Sequence, residues 1–252
     1  MITLEHLPYE ADAGLAPGGR VGLVMLASDY TIEAEMHWLF AHMPSLGLFS
    51  NRIPNDDQVT PETLRAMAPR ITSAVDEITP GGKLDVVAYA CTSATMAIGE
   101  EGVFERIRAV QPEARCTTPI TGALAAFRAF GAQRIGVLTP YRADVNEIVA
   151  KYLGERGIDV AVFGSFNEES DAAVATISPA SVRRGIDCLL DEAAVDAVFV
   201  SCTSVRLANQ VAEIEADLDL PVTSSNHAMA WHAMRLAGAT TRLPQLGRLF
   251  NL

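Results

Sequence analysis

Two stretches of this sequence are nearly the same: Asp85-Val-Val-Ala-Tyr-Ala-Cys91-Thr92-Ser93 and Asp196-Ala-Val-Phe-Val-Ser-Cys202-Thr203-Ser204. The two cysteines lie 111 residues apart, and each follows a short apolar run. Such a run is typical of a strand in a buried parallel sheet. Open α/β sheets bind their ligands at the carboxyl ends of the strands, where both cysteines fall. The pattern predicts two thiols that face one cleft, each followed by a helical segment, Ala94–Ile98 and Val205–Glu215.

The repeat extends beyond the cysteines. Arg20-Val-Gly-Leu-Val matches Arg134-Ile-Gly-Val-Leu 114 residues later, and Thr118-Pro-Ile-Thr121 matches Leu220-Pro-Val-Thr223 102 residues later. Three matches in the same order favour an internal duplication over the short patterns that many α/β proteins share. We therefore expect two similar domains with the functional cleft between them. The first comprises residues 18–118 plus 222–252 and carries Cys91; the second comprises residues 119–221 and carries Cys202.

Apolar runs of strand length alternate with amphipathic segments along the chain. This alternation predicts an α/β fold in which helices cover both faces of parallel sheets. We expect two pseudo-symmetric, flavodoxin-like domains, each a doubly wound parallel sheet. The candidate strands are Val21–Leu26, Leu46–Phe49, Asp85–Ala90, Arg134–Leu138, Val160–Phe163 and Ala197–Ser201. The candidate helices are Thr60–Thr79, Thr121–Phe130, Ala143–Arg156 and Ser181–Ala194.

Charge and composition exclude several classes of protein. The net charge of −12 argues against a nucleic-acid or anionic-membrane partner, because both require a basic surface. No apolar run approaches the ~18 residues of a membrane span, and the acidic start lacks the features of a signal peptide. Four cysteines in 252 residues are too few for a disulfide scaffold. We expect a cytoplasmic protein whose cysteines are free thiols.

The strand-end position gives Cys91 and Cys202 a chemical interpretation. Backbone N–H groups at the start of a helix favour anions and are expected to lower a thiol pKa from about 8.5 toward neutrality. A single buried cysteine is more often a small apolar core residue, but the duplication favours function here. Cys116 and Cys188 lack this context and are predicted to be structural. The side chains expected to bind a substrate carboxylate are Thr92, Ser93, Thr203 and Ser204.

The paired Cys-Thr-Ser motifs resemble the aspartate/glutamate racemase superfamily, whose members carry one catalytic cysteine in each pseudo-symmetric domain. The resemblance covers about residues 18–240. Glutamate racemases typically read Cys-Asn-Thr and Cys-Thr-His, so the asparagine and the histidine are absent here. Further details are similar to the branch that holds maleate cis-trans isomerase, arylmalonate decarboxylase and the ectoine-utilisation protein EutA. Arylmalonate decarboxylase keeps only the second cysteine, so the presence of Cys91 favours two-sided chemistry.

Two more segments resemble this branch. Leu138-Thr139-Pro140-Tyr141 looks like the maleate isomerase segment whose tyrosine contacts a substrate carboxylate. Phe166-Asn167-Glu168-Glu169 looks like the segment that supplies a substrate-binding asparagine. The resemblance therefore implies that Tyr141 and Asn167 bind substrate.

The loop after the first candidate strand departs from the branch. Maleate isomerases carry an asparagine that binds a dicarboxylate, whereas Ala27-Ser28-Asp29-Tyr30-Thr31 places an aspartate there. A carboxylate repels a dianionic substrate; it suits an ammonium or amide group, or it acts as a proton acceptor near Cys91, as a comparable aspartate does in amino-acid racemases. Asp29 is thus a candidate substrate-binding residue, and the pattern looks more like EutA or an amino-acid isomerase. The alternative is that Asp29 only caps the following helix.

Other motifs predict neither a metal nor a cofactor. The histidines at 37 and 42, and at 227 and 232, are five residues apart, whereas four places two ligands on one helical face. The glycines of Pro17-Gly-Gly-Arg-Val-Gly22 precede a strand, and a dinucleotide-binding motif requires them after it. We expect a metal-free, cofactor-independent protein, and a homo-oligomer, either a dimer or a tetramer.

The combined pattern predicts an isomerase that uses Cys91 and Cys202 on opposite faces of a small carboxylic acid. The reaction is either racemisation, with one thiolate removing a proton and the other thiol returning one, or cis-trans isomerisation by thiolate addition. Two alternatives stay open. One is a cofactor-free decarboxylase of a malonate-type acid that uses Cys202 alone, and the other is a non-catalytic ligand-binding protein.

Overall fold

A computed structural model describes residues 1–56, 58–168 and 170–252. Within these residues the chain forms eight strands in two parallel four-stranded sheets. The first sheet contains β1 (Gly19–Leu26), β2 (Leu46–Ile53), β3 (Val86–Ala90) and β4 (Arg115–Thr117). The second contains β5 (Arg134–Thr139), β6 (Asp159–Ser165), β7 (Ala197–Val200) and β8 (Val222–Ser224).

Eleven α-helices are described between and after these strands. In the first half they are α1 (Ile32–Phe40), α2 (Pro61–Ala66), α3 (Ile71–Asp76), α4 (Thr92–Ile98), α5 (Glu100–Arg108) and α6 (Pro119–Phe130). In the second half they are α7 (Ala143–Gly154), α8 (Asp171–Val174), α9 (Pro179–Glu192), α10 (Val211–Leu218) and α11 (Ser225–Leu236). None of these described helices is long and apolar enough to cross a membrane.

The two sheets have the same topology, with strand orders β2-β1-β3-β4 and β6-β5-β7-β8. The predicted α/β fold with two flavodoxin-like halves is confirmed. The six candidate strands all form, whereas β4 and β8, with three residues each, are too short to show as strand patterns. The predicted helix over residues 60–79 is wrong, because Pro69 lies in a short 3-10 turn, Ala68–Arg70, that separates α2 from α3.

Each half of the chain sends one helix to the other half's sheet. α6 follows β4 but contacts β7 and β8, and α11 follows β8 but contacts β3 and β4. The two helices also pack against each other. A Cβ atom at Gly122 would lie 2.7 Å from the Ala228 carbonyl oxygen, so only glycine permits this approach. The exchanged helices tie the two halves together.

One predicted segment boundary needs correction. Residues 222–252 were expected to belong to the first domain, but Val222–Ser224 pair with β7 and therefore lie in the second sheet. The chain crosses to the first sheet only with α11, three residues later. The division into two domains otherwise stays a prediction, as do the homo-oligomer and the cytoplasmic location.

A single large apolar core runs through both halves. It includes side chains from both sheets and from the exchanged helices. Phe127 of α6 and Phe199 of β7, for example, pack edge to face with ring centroids 5.7 Å apart. A second core cluster lies within the first half, around Tyr89 and Ile71. Both sheets contribute to the larger core. The carboxyl ends of β3 and β7 are therefore held at fixed positions relative to each other.

Candidate active site

Cys91 and Cys202 line the same small pocket between the two halves. Cys91 follows the last residue of β3 directly, and Cys202 follows β7 after one residue. Both are almost fully buried, at 5% and 4% exposure. The other residues that line the pocket are Leu26, Asn55, Asp56, Gln58, Val59, Thr63, Leu64, Met67, Thr92, Ser93, Tyr141, Asp171 and Thr203. The predicted meeting of two thiols at one cleft is thus seen in the structure.

The chain after Cys202 differs from the chain after Cys91. α4 begins directly after Cys91, but the helix predicted over Val205–Glu215 forms only in its second part, where α10 begins at Val211 after a 3-10 turn, Ala208–Gln210. The intervening segment binds the first half of the chain instead. The backbone N–H groups of Leu207 and Ala208 both donate to Glu35 Oε1, over 2.7 and 2.8 Å. These long-range bonds replace the first turn of the expected helix.

Both thiols have pKa values above the ordinary range, which corrects the expectation of activated thiolates. Burial raises the pKa of Cys91 to about 12, while a hydrogen bond from the Ala94 N–H opposes the shift and the Asp171 charge adds to it. Burial also raises the pKa of Cys202, and the Asp171 charge contributes in the same direction. Loss of hydration thus outweighs the anion-stabilising N–H groups. Both cysteines are neutral thiols at neutral pH without substrate.

Tyr141 lies between the two cysteine loops. Its hydroxyl interacts with the Cys202 thiol and with Ser93, and burial raises its pKa well above the usual value. The phenol therefore stays protonated and can donate. Its interaction with Cys202 lowers the pKa of that thiol, although burial outweighs this effect. Tyr141 can thus stabilise a thiolate at Cys202 or a substrate oxygen.

The predicted hydroxyl residues divide into two groups. Thr92, Ser93 and Thr203 line the pocket. Ser204 does not: its hydroxyl donates to Asp171 Oδ1 over 3.2 Å. Ser204 therefore contacts a residue of the pocket wall, and the roles of all four in substrate binding stay predictions.

Ser225 joins the two cysteine loops and was missed by the sequence reasoning. Its hydroxyl accepts a hydrogen bond from the Cys202 N–H over 3.0 Å and lies 2.8 Å from the Thr92 hydroxyl. It is the first residue of α11 and lies two positions after the repeated segment Leu220-Pro-Val-Thr223. That repeat marked the region, but only the crossing of α11 brings its start to both loops.

Asp171, at the start of α8, is a second pocket residue that the sequence did not reveal. Its two carboxylate oxygens accept hydrogen bonds from different halves of the chain. Ser28 donates to Oδ2 over 2.5 Å, and Ser204 donates to Oδ1 over 3.2 Å. No sequence motif surrounds Asp171, so its place in the pocket follows from tertiary contacts alone.

Asp29 is buried, with 1% exposure, but it is not among the residues that line the pocket. Its Oδ1 accepts hydrogen bonds from the N–H groups of Thr31 and Ile32, over 2.8 and 2.9 Å. These contacts cap α1, as the alternative interpretation proposed. Burial raises the pKa of Asp29, and the nearby Thr203 hydroxyl opposes the shift. A contact between Asp29 and substrate stays a prediction.

Asn167 lies outside the pocket as the structure describes it. It is exposed, follows β6, and has a φ of 55°. Its N–H donates to the Ser165 hydroxyl over 3.0 Å. Its predicted role in substrate binding therefore stays a prediction, and Glu169 of the same motif lies outside the described residues.

Glu35 of α1 is a buried carboxyl group behind the second cysteine loop. Besides the two backbone N–H groups, it accepts a hydrogen bond from Asn226 Nδ2 over 2.8 Å, and that amide also donates to the Thr203 carbonyl oxygen. Burial raises the pKa of Glu35 to about 7, against the lowering effect of these donors. Glu35 therefore positions the segment after Cys202 and titrates near neutral pH.

This pKa predicts how stability depends on pH. Between pH 4.5 and 7 the unfolded chain ionises at Glu35 while the folded protein keeps the proton, so the free energy of unfolding falls as pH rises. The shift from 4.5 to about 7 corresponds to about 3 kcal/mol. We expect the wild type to lose about that much relative to Glu35→Gln between pH 4 and 8, measured by urea unfolding. A constant difference between the two proteins would show that folding does not raise the pKa of Glu35.

Comparison with known proteins places this site in a family. A family model described as arylmalonate decarboxylase matches residues 54–250. The maleate isomerase of Nocardia farcinica is 29% identical over 242 residues, which cover 92% of this chain and 95% of that protein.

Two solved structures are similar over the same region. The maleate isomerase Iso of Pseudomonas putida, a cysteine-to-alanine variant with maleate, has a TM-score of 0.85 at 27% identity and covers 92% of this chain and 97% of its own. A cysteine-to-serine variant of the Nocardia farcinica maleate cis-trans isomerase carries a covalently bound succinylcysteine intermediate. Its TM-score is 0.83 at 27% identity, and the match covers 92% of this chain and 98% of that chain. The chain therefore belongs to the arylmalonate decarboxylase family and is an enzyme of the aspartate/glutamate racemase superfamily.

Proposed function

We propose that this enzyme is a cofactor-independent isomerase that uses Cys91 and Cys202 on a small carboxylic acid. The observation that carries the proposal is that both thiols line one pocket with Tyr141 between their loops. Duplicated strands present the two sulfur atoms from separate halves of the chain, so a substrate between them is reached from two sides. Racemisation by two cysteines requires that both faces of the reacting carbon are reached in this way.

Racemisation or epimerisation uses the pair symmetrically. One cysteine, as the thiolate, removes the proton from the carbon next to the carboxylate, and the other, as the thiol, donates a proton from the opposite side. The negative charge that develops on the carboxylate is stabilised by the hydroxyls of Thr92, Ser93 and Thr203. Because both thiols are neutral without substrate, one proton must leave the pair when substrate binds.

Cis-trans isomerisation uses the same groups differently. Cys91 as thiolate adds to one carbon of the double bond, rotation follows about the resulting single bond, and the thiolate then leaves. Cys202 and Tyr141 donate and recover the proton at the neighbouring carbon. The succinylcysteine intermediate of the Nocardia farcinica enzyme supports this route by analogy.

The finer assignment within the family follows from sequence. Asp29 in place of the maleate isomerase asparagine favours an activity like that of EutA or of an amino-acid isomerase. Decarboxylation of a malonate-type acid by Cys202 alone is the second candidate, since the matching family model carries that description. The presence of the Cys91 thiol in the pocket argues for the isomerase.

The proposal predicts a clear result in D₂O. Enzyme is incubated without added cofactor with a panel of amino acids, N-acetylated amino acids, unsaturated diacids and substituted malonates. It should exchange or isomerise at least one of the acids. Proton NMR detects loss of the signal next to the carboxylate and conversion of cis to trans vinyl protons. Chiral chromatography then detects inversion. A product that is one carbon shorter would identify the decarboxylase instead, and ligand binding without any turnover would identify a binding protein.

A further inference from the structure

The charged side chains that line the active-site pocket are all acidic. Among the described lining residues these are Asp56 and Asp171, and none of that set is a lysine, an arginine or a histidine. A small acid is therefore bound by hydroxyls and backbone N–H groups, without a cation to offset its charge. The acidic side chains of the pocket would therefore repel a second carboxylate on the substrate.

Asp171 is fixed by contacts from both halves of the chain. Ser28 and Ser204 each donate one hydrogen bond to it, and Asn55 Nδ2 donates to the Ser28 hydroxyl over 2.7 Å. A carboxylate has about four acceptor sites, so two hydroxyl donors leave room for a substrate donor. The carboxylate is thus positioned at the pocket wall with acceptor capacity to spare.

The charge of Asp171 also acts on both reacting groups. It raises the pKa of Cys91 and that of Cys202, which places it within electrostatic reach of both sulfur atoms. A positive group bound at Asp171 would offset this effect and ease formation of the thiolate. A second negative group would strengthen it and keep both thiols neutral.

We propose that Asp171 contacts the substrate directly and selects an acid that bears an ammonium group beside its single carboxylate. This inference rests on the proposed function, because it concerns the same pocket. The carboxylate lies at Thr92, Ser93 and Thr203, and the nitrogen lies at Asp171. Of the two aspartates, it is Asp171 that lines the pocket, while Asp29 Oδ1 accepts hydrogen bonds at the start of α1, so the nitrogen is assigned to Asp171 and a substrate contact of Asp29 stays a separate prediction.

Four-carbon acids test the inference by calorimetry: 2-aminobutanoate, 4-aminobutanoate, butanoate and succinate. The wild type should bind at least one aminobutanoate about 10–100-fold more tightly than butanoate or succinate, the usual range for a charge-assisted hydrogen bond. Asp171→Asn should remove that preference, leave butanoate unchanged and bind succinate more tightly. Asp191→Asn, a matched loss of one exposed negative charge on α9, should behave as the wild type.

Several outcomes would overturn the inference. These are wild type that binds succinate more tightly than both aminobutanoates, failure of both aminobutanoates to bind, or equal weakening of all four ligands in Asp171→Asn. The wild-type comparison decides the matter even if Asp171→Asn fails to fold. The D₂O panel separates the two proposals: altered selectivity in Asp171→Asn without turnover of any acid of that panel refutes the isomerase alone, and turnover with unaltered selectivity refutes the role of Asp171 alone.

Discussion

Replacement of either Cys91 or Cys202 by serine should lower turnover by about 10²–10⁴-fold, the range for loss of a positioned acid or base. A hydroxyl is a far weaker acid and nucleophile than a thiol at neutral pH, while the change in volume is small. Because each cysteine serves one side of the substrate, the two variants should be impaired to a similar degree. The measurement is kcat for the substrate found by the D₂O experiment, with deuterium exchange recorded in parallel.

The remaining cysteines provide matched controls. Cys116 is buried and Cys188 is exposed on α9, so Cys188 is not part of the apolar core. Cys188→Ser should keep full activity, and Cys116→Ser should change mainly the stability, by about 1–3 kcal/mol. Full activity in Cys91→Ser with loss only in Cys202→Ser would contradict the two-thiol mechanism and point to decarboxylation.

Without substrate, Cys91 should react with iodoacetamide far more slowly than an ordinary thiol. A pKa of about 12 in place of 9.0 reduces the thiolate fraction at neutral pH by about 10³-fold. The rate should continue to rise with pH through pH 10, because the thiolate is still the minor form there. Peptide mass spectrometry measures the modification at each cysteine, and the exposed Cys188 serves as the reference within the same protein.

The dependence of this rate on pH distinguishes a raised pKa of Cys91 from poor access of the reagent to a buried thiol. Burial alone would slow the reaction of Cys91 equally at every pH, whereas a raised pKa also moves the midpoint upward. A midpoint below pH 8 would show that the N–H groups at the start of α4 dominate over desolvation. That result would support the lowered thiol pKa that the sequence predicted.

The strands and their repeat could be predicted because the patterns that indicate them lie within short segments of sequence. An apolar run such as Val86–Ala90 records burial on both faces within a few residues, and the cysteine at its end follows directly. The same holds for Ala197–Val200 and Cys202. The family resemblance added Tyr141, which the structure places between the cysteine loops.

Other features were not readable because they depend on distant residues. The helix expected after Cys202 begins only at Val211, because Glu35, more than 170 positions away in sequence, binds the N–H groups of Leu207 and Ala208. The chain also crosses to the other sheet after β8, which carries Ser225 to both cysteine loops. Neither contact leaves a local pattern.

By itself, the sequence determined the class of fold, the duplication and the two thiols, since hydrophobic periodicity and strand-end position are properties of short segments. Only the tertiary structure decided the ionisation of those thiols and the charge of the pocket around them. Burial removes water from Cys91 and Cys202, and the charge of Asp171, at the start of α8, acts on both. Hydration and Coulomb interactions depend on distance in space, so they are set only when the two halves of the chain come together.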